Sequence, residues 1–196
     1  MDTNHFDTIK RIASGDRGAF RDLYETFKSR VYNTSFSYFQ NAEEAEEVTQ
    51  DVFLEVFRSA WSFKESSSVS TWIYRITVNK CLDGLRHRNR KKRAGFLMSL
   101  FKKDTGELKV DVAHFISPER VLENKEKSEL LLKSVSQLPE SQQTAFILSY
   151  IEELPQKEIS VIMNVSEKAV ESLIQRAKGN LRKKLEIFNP NRRKNN

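Results

Sequence analysis

The sequence has few of the residues that cross-link or interrupt a chain: one cysteine, four prolines and six glycines among 196 residues. Because Cys81 is the only cysteine, an internal disulfide is excluded, and we expect a small buried thiol in a reducing compartment. No apolar run approaches the roughly eighteen residues of a membrane helix. The N-terminus, MDTNHFDTIK, also lacks the apolar stretch of a signal peptide. We therefore expect a cytoplasmic protein.

Charge of opposite sign is concentrated in different parts of the chain. The net charge is +6, with 38% hydrophobic and 31% charged residues, which is typical of a folded protein with a charge-rich surface. The charged residues of the segment 41–60 are acidic except for Arg58. Those of the segment 75–103 are basic except for Asp83. Since an acidic face repels phosphates that a basic segment attracts, the pattern favours two partners of different character.

Apolar residues recur mostly at three- and four-residue spacing, which predicts an all-α protein. Asp16 and Asn41 are expected N-caps of two long helices, and Ser68 or Ser70 the cap of a third, which becomes strongly basic towards Arg93. Residues 61–68 are interpreted as a loop, in which Trp61 is expected to be a loop or core anchor. We expect two small helical domains joined by a linker, with a frayed tail. Their predicted limits are 1–93 for the first domain, 94–120 for the linker, 121–188 for the second domain and 189–196 for the tail.

The sharpest local pattern lies between Pro155 and Leu185, where two helical periods are interrupted by a very short turn. That is the pattern of a helix-turn-helix. Asn164 tolerates the left-handed backbone of such a turn, Val165 is expected to plug it, and Ser166 to cap the second helix. A helical hairpin without any DNA partner has the same spacing and stays open as an alternative.

The second helix of this motif has a polar face that is a candidate for reading bases in the major groove. Glu171 tempers the interpretation, because a carboxylate near DNA must accept from a base donor such as the cytosine amine. Gln175 favours adenine by the same argument. The candidate residues of this face are Lys168, Glu171, Ser172, Gln175, Arg176 and Lys178.

In this order the segments resemble the extracytoplasmic-function sigma factors of the sigma-70 family, over nearly the whole chain. GDRGAFRDLYETFKSRVY (15–32), AEEAEEVTQDVFLEVFRSAWSF (42–63) and STWIYRITVNKCLDGLRHRNRKKR (70–93) are similar to the family's first helix, its polymerase-binding segment and its promoter-opening segment. The segment from Leu138 to Leu181 is similar to its C-terminal domain. A single match would be weak, but four in sequence are not.

The resemblance implies a subunit that directs RNA polymerase to promoters and performs no chemistry of its own, so neither enzymatic activity nor a cofactor or metal is expected. It implies that the C-terminal helix reads the −35 element, that promoter DNA is bound both as duplex and as non-template single strand, and that an anti-sigma protein is a further partner. Candidate contacts to the clamp of core polymerase are Glu47, Gln50, Asp51 and Leu54. Candidate contacts to the −10 element are Lys64, Ser66, Ser67, Ser68, Arg75, Asn79, Lys80 and Arg86.

Some residues depart from the family pattern, and two other functions remain as alternatives. Pro155 stands where serine or threonine is usual, and Glu171 where a basic residue is common, so the family's usual −35 preference is not carried over. A stand-alone helix-turn-helix regulator would share the C-terminal fold but have no use for the acidic helix. A metal-dependent nuclease would need the crowded carboxylates of Glu43, Glu44, Glu46 and Glu47 to find partners elsewhere.

Overall fold

A computed structural model of the chain describes residues 3–99 and 121–188, and in these ranges it contains α-helices and no strand. The all-α prediction is confirmed. In chain order the helices are α1 (Thr3–Ala13), α2 (Arg17–Phe39), α3 (Ala42–Ser59), α4 (Val69–Ser99), α5 (Val121–Val135), α6 (Glu140–Phe146), α7 (Gln156–Met163) and α8 (Glu167–Phe188). A 3₁₀ turn, Ala60–Ser62, follows α3, and a wide π turn, Ile147–Ile151, follows α6.

The chain divides into two compact units. One comprises Met1–Ser66 with Ile76–Ala113, and the other Ser67–Arg75 with His114–Asn196. Helix α4 runs six residues past the expected domain end at residue 93. Most of the predicted linker, residues 100–120, and the predicted tail, residues 189–196, lie outside the described residues. The domain limits therefore stay a prediction.

The start of α2 follows the prediction closely. Asp16 has an extended backbone, and its Oδ1 accepts from the Gly18 and Ala19 amides at 2.8 and 3.0 Å. The guanidinium of Arg11 donates to Asp16 Oδ2 at 2.9 and 2.7 Å. The bonds from Gly18 and Ala19 satisfy amide groups that a helix start would otherwise leave unpaired, while Arg11 holds the carboxylate in place.

Helix α3 starts at the predicted cap, where Asn41 Oδ1 accepts from the Glu44 amide at 2.9 Å. The Glu44 carboxylate accepts from Arg88 of α4 at 2.9 Å, so this residue joins the two helices. The apolar side of α3 is buried, with Val52 and Val56 at 0% exposure. Cys81 is also fully buried, as expected.

Helix α1 was not predicted from the sequence. Its Ile9 and Ile12 are 1% and 2% exposed, and the Phe6 ring stacks on Phe63, with ring centroids 5.8 Å apart. Lys10 forms an ion pair with Glu65 at 2.8 Å. The helix therefore packs on α2, where His5 lies against the Phe27 ring, and on the segment that follows α3.

In the second unit, α5, α6 and α7 pack on the apolar side of α8. Val170 and Ala177 of α8 are completely buried, as are Val135, Ile147 and Ile159 of the segments packed around it. Polar bonds fix the register of α8 against the preceding helices, because Asn180 donates to Gln142 and Lys184 to Gln137, both at 2.8 Å. One long face of α8 is left uncovered.

Candidate nucleic-acid and protein interfaces

The turn between α7 and α8 has the backbone that the sequence predicted. Asn164 ends α7 in the left-handed region, with φ 54° and ψ 48°. Ser166 Oγ accepts from the Ala169 amide at 3.2 Å and so caps α8. The expectation for Val165 was wrong: its side chain is 38% exposed, and the turn is closed by its amide, which donates to the Ser160 carbonyl at 3.0 Å.

All six candidate −35 residues are exposed on α8. At about 100° per residue, Lys168, Ser172, Gln175 and Arg176 fall within one sector opposite the buried side. Pro155 stands just before α7 with an extended backbone and makes no side-chain cap bond, and the helix begins at Gln156. The motif therefore presents one continuous polar face.

Lys178 lies apart from that sector, about 120° around the helix from Ser172. Its ammonium lies over the ring of Tyr150, 4.9 Å from the centroid. Tyr150 follows α6 within the wide turn, and its ring stacks on Phe146 with centroids 4.9 Å apart. Sequence spacing did not indicate this pairing, because it joins residues from two different helical segments.

The candidate −10 residues of α4 fall into two groups. Helical geometry brings Arg75, Asn79 and Arg86 to one side of the helix, and all three are exposed. Arg75, which is grouped with the second unit, donates to the Val161 carbonyl oxygen at 2.6 Å. Lys80 lies about 100° away from Asn79 and forms an ion pair with Glu55 of α3 at 3.2 Å. Its ammonium thus already has a partner within the protein.

The hydroxyl-rich segment before α4 has mixed exposure. Lys64 and Ser66 are exposed, whereas Ser67 and Ser68 are half-buried. Ser68 Oγ accepts from the Thr71 amide at 3.0 Å, so this side chain caps α4. Trp61, which sequence reasoning treated as a loop or core anchor, is 79% exposed.

The candidate polymerase residues of α3 form a single stripe. Glu47, Gln50, Asp51 and Leu54 are spaced by three and four residues, and all are exposed, Leu54 by 52%. The stripe lies opposite the buried side of the helix, which contains Val52 and Val56. An apolar side chain thus lies at the end of an acidic surface.

Two further findings concern other kinds of site. Among the described residues, no group of three or more His, Cys, Asp or Glu side chains could hold a metal ion. Within the same ranges, no helix is long and apolar enough to cross a bilayer.

Comparison with known proteins shows the family to which the chain belongs. Residues 23–91 match the family described as Sigma-70 region 2, and residues 128–181 match Sigma-70, region 4. The chain is 31% identical over 180 residues to the ECF RNA polymerase sigma factor SigW of Bacillus subtilis, covering 90% of this chain and 94% of the relative. The chain belongs to the extracytoplasmic-function sigma factors. It is a subunit that directs RNA polymerase to promoters.

A further relative and two solved structures are also similar to this chain. The RNA polymerase sigma-H factor of Pseudomonas aeruginosa is 27% identical over 91% of this chain and 92% of its own. A solved structure of CnrH in complex with the cytosolic domain of CnrY has a TM-score of 0.65 at 20% identity, covering 93% of this chain and 97% of that one. The sigma factor RpoE with the anti-sigma factor NepR, from Bartonella quintana, has a TM-score of 0.62 at 17% identity, covering 86% and 97%. These structures share the fold.

The candidate residues of this sigma factor fall within two separate family matches. The region 2 match contains the acidic stripe of α3, the segment before α4 and the candidate residues of α4. The region 4 match contains the helix-turn-helix and its exposed face. Helix α1 lies before both matches.

Proposed function

We propose that the three surfaces of this sigma factor divide promoter recognition among them. The α3 stripe binds core polymerase, the segment before α4 and the exposed side of that helix bind the −10 element and its single strand, and the α8 face binds the −35 duplex. The single observation that carries the proposal is that the candidate residues of α3 and of α8 are all exposed.

The α3 stripe suits a protein partner better than DNA. Glu47 and Asp51 would repel phosphates. Leu54, at 52% exposure, adds apolar surface of the kind that protein interfaces cover. A basic partner with a small apolar contact fits this surface, and the clamp of core polymerase is the partner that we propose.

The α8 face suits duplex DNA. Arg176 and Gln175 can each make bidentate contacts to a base edge in the major groove, to guanine and adenine respectively. Glu171 would accept a hydrogen bond from a cytosine amine. The mixture of donors and acceptors favours sequence reading over attraction to the backbone alone.

The −10 surface is proposed with unequal roles for its residues. Asn79 and Arg86 are exposed and available to DNA. Lys80 must give up or share its ion pair with Glu55, and Arg75 its bond to the Val161 carbonyl, before either can contact a phosphate. Lys64 and Ser66 are accessible in the loop, with the half-buried Ser67 and Ser68 beside them, and a base of the unstacked strand would be held there.

The division of labour is tested with the full chain and sigma-free bacterial core polymerase. Removing the charges of Glu47 and Asp51 together, as Glu47→Gln with Asp51→Asn, should weaken complex formation measured by native mass analysis. Glu25→Gln, the same kind of change at an exposed side chain of α2, should not.

Arg176→Ala should behave in the opposite way. It should form the complex normally but lose roughly tenfold in transcription from promoters selected out of a genomic library by the unmodified holoenzyme. If both variants lost polymerase binding and promoter output equally, the division would be wrong. If the unmodified chain formed no complex with core polymerase, the surfaces would need other partners.

Two further aspects of the proposal rest on the family. The protein acts in the cytoplasm beside its polymerase, contributes no catalytic step and needs no cofactor. An anti-sigma protein, as NepR is for RpoE in the structure of similar fold, masks it until a signal arrives.

A further inference from the structure

Lys178 lies outside the base-reading sector of α8, and its side chain is paired with the ring of Tyr150 from the turn after α6. The ammonium of Lys178 lies 4.9 Å from the centroid of the Tyr150 ring. Both residues are exposed, Tyr150 by 45%, so the ring is not simply part of the core. An aromatic face attracts a cation at this distance and restricts an otherwise mobile lysine side chain.

The backbone that follows α6 positions the Tyr150 ring beside α8. After α6 the helix widens into the π turn Ile147–Ile151, where the Glu152 amide donates to the Ile147 carbonyl at 3.0 Å. Ile147 and Leu148 are completely buried, while Tyr150 emerges at the surface and rests on Phe146. Such wide turns occur often at functional positions. Here the turn supports a ring beside α8.

The position of Lys178 favours phosphate over base contact. It lies about 120° around α8 from Ser172, close to the direction of Glu171, but about two turns further from the N-terminal end of the helix, whose side chains reach the base edges. A lysine at the side of a recognition helix meets the DNA backbone, where a single positive charge suffices.

We propose that Tyr150 is a positioning residue that holds the Lys178 ammonium for a phosphate next to the −35 element. The proposal rests on the assignment of the α8 face to duplex DNA. It predicts an effect on affinity that does not depend on the sequence read by the neighbouring residues.

The experiment measures promoter affinity of the reconstituted holoenzyme, carrying the full chain, on one promoter fragment and on the same fragment with its −35 sequence randomised. Lys178→Ala should weaken both complexes and lower the slope of log affinity against log salt by about one. Tyr150→Leu should weaken both by about two- to fivefold, while Tyr150→Phe, which keeps the ring, should stay close to the unmodified protein.

A double-mutant cycle separates positioning from a merely structural role. In a Lys178→Ala background, Tyr150→Leu should have almost no further effect. In a Lys183→Ala background, which removes another exposed lysine of the same helix, Tyr150→Leu should keep its full effect. An equal loss from Tyr150→Leu in both backgrounds, or an equal loss from the Phe and Leu variants, would overturn the proposal.

The outcomes also distinguish the Tyr150–Lys178 proposal from the assignment of the α8 face to duplex DNA. If the unmodified holoenzyme formed no promoter complex, both would be wrong. If the unmodified holoenzyme formed a normal promoter complex, but Lys178→Ala changed neither its affinity nor its salt slope, only the Tyr150–Lys178 proposal would be wrong.

Discussion

Gly84 of α4 lies against the ring of Phe39 of α2, so that a Cβ at position 84 would be 2.8 Å from Phe39 Cζ and 3.8 Å from Val48 Cγ2. Phe39 is only 6% exposed, and the guanidinium of Arg88 lies over its ring at 5.6 Å. The ring is thus enclosed on several sides. The close approach of the two helices depends on the missing side chain.

Gly84→Ala should therefore destabilise the protein. Overpacking costs about 1–3 kcal/mol, which exceeds the gain of about 0.5–1 kcal/mol that alanine brings within a helix. Gly179→Ala on α8 is the matched control, because a Cβ there meets no atom within 4 Å and the helix gain should appear alone. Chemical denaturation of both variants checks the prediction, and stabilisation by both would contradict it.

The free energy of unfolding should depend on pH through the carboxyl group of Asp16. The Ala19 amide, followed by the Arg11 guanidinium, holds the pKa of this carboxyl below its ordinary value of 3.8. Since the folded state resists protonation, the stabilisation is present above that ordinary value and is lost as pH falls through the lower native pKa. Asp16→Asn keeps a capping oxygen but removes the charge.

The measurement for Asp16 is the thermal midpoint of the protein and of the Asn variant between pH 6 and pH 2.5. The difference between them should be largest near pH 6 and shrink as acid protonates the carboxyl. A difference that is constant over the whole range would mean that the ionised form adds nothing to the cap.

Cys81 should be chemically inert in the folded protein. Burial raises the pKa of its thiol from 9.0 to about 12, because a thiolate would lose its hydration. An alkylating reagent at pH 8 should leave the native protein unmodified and label one thiol after denaturation. Because the unfolded thiol ionises first, its contribution to stability should be present below about pH 9 and lost as pH rises towards 12. Rapid labelling of native protein would contradict this assignment.

Leu54 should matter for polymerase and not for folding. At 52% exposure its truncation in Leu54→Ala removes little buried surface, so the melting temperature should hardly change, while affinity for core polymerase should fall by at least about fivefold if it is an interface anchor. Val56→Ala on the same helix is the contrasting variant, since Val56 is completely buried and its truncation should lower the melting temperature. The reverse pattern would place the interface elsewhere.

Local sequence was sufficient for most of the helices. Asp16, Asn41 and Ser166 cap helices where their side chains can reach free amides, and Asn164 has the left-handed backbone expected of it. Capping and apolar spacing act between residues a few positions apart, so they can be recognised in the sequence alone. The exposed faces of α3 and α8 follow from the same periodicity.

Helix α1 and the exposed Trp61 show where that reasoning fails. The short stripe of Ile9 and Ile12 becomes recognisable only when α2 and the segment after α3 supply the surface on which α1 packs. Trp61 was expected to anchor a loop or the core, yet the fold leaves it 79% exposed.

Only the tertiary structure decided which charged side chains pair with residues far along the chain. Lys80 with Glu55, Arg88 with Glu44, and Lys178 with Tyr150 each join separate helical segments. The sequence by itself determined that these residues lie on polar sides of helices. Their partners depend on how the helices pack, because contacts between distant segments form only once the buried faces have brought those segments together.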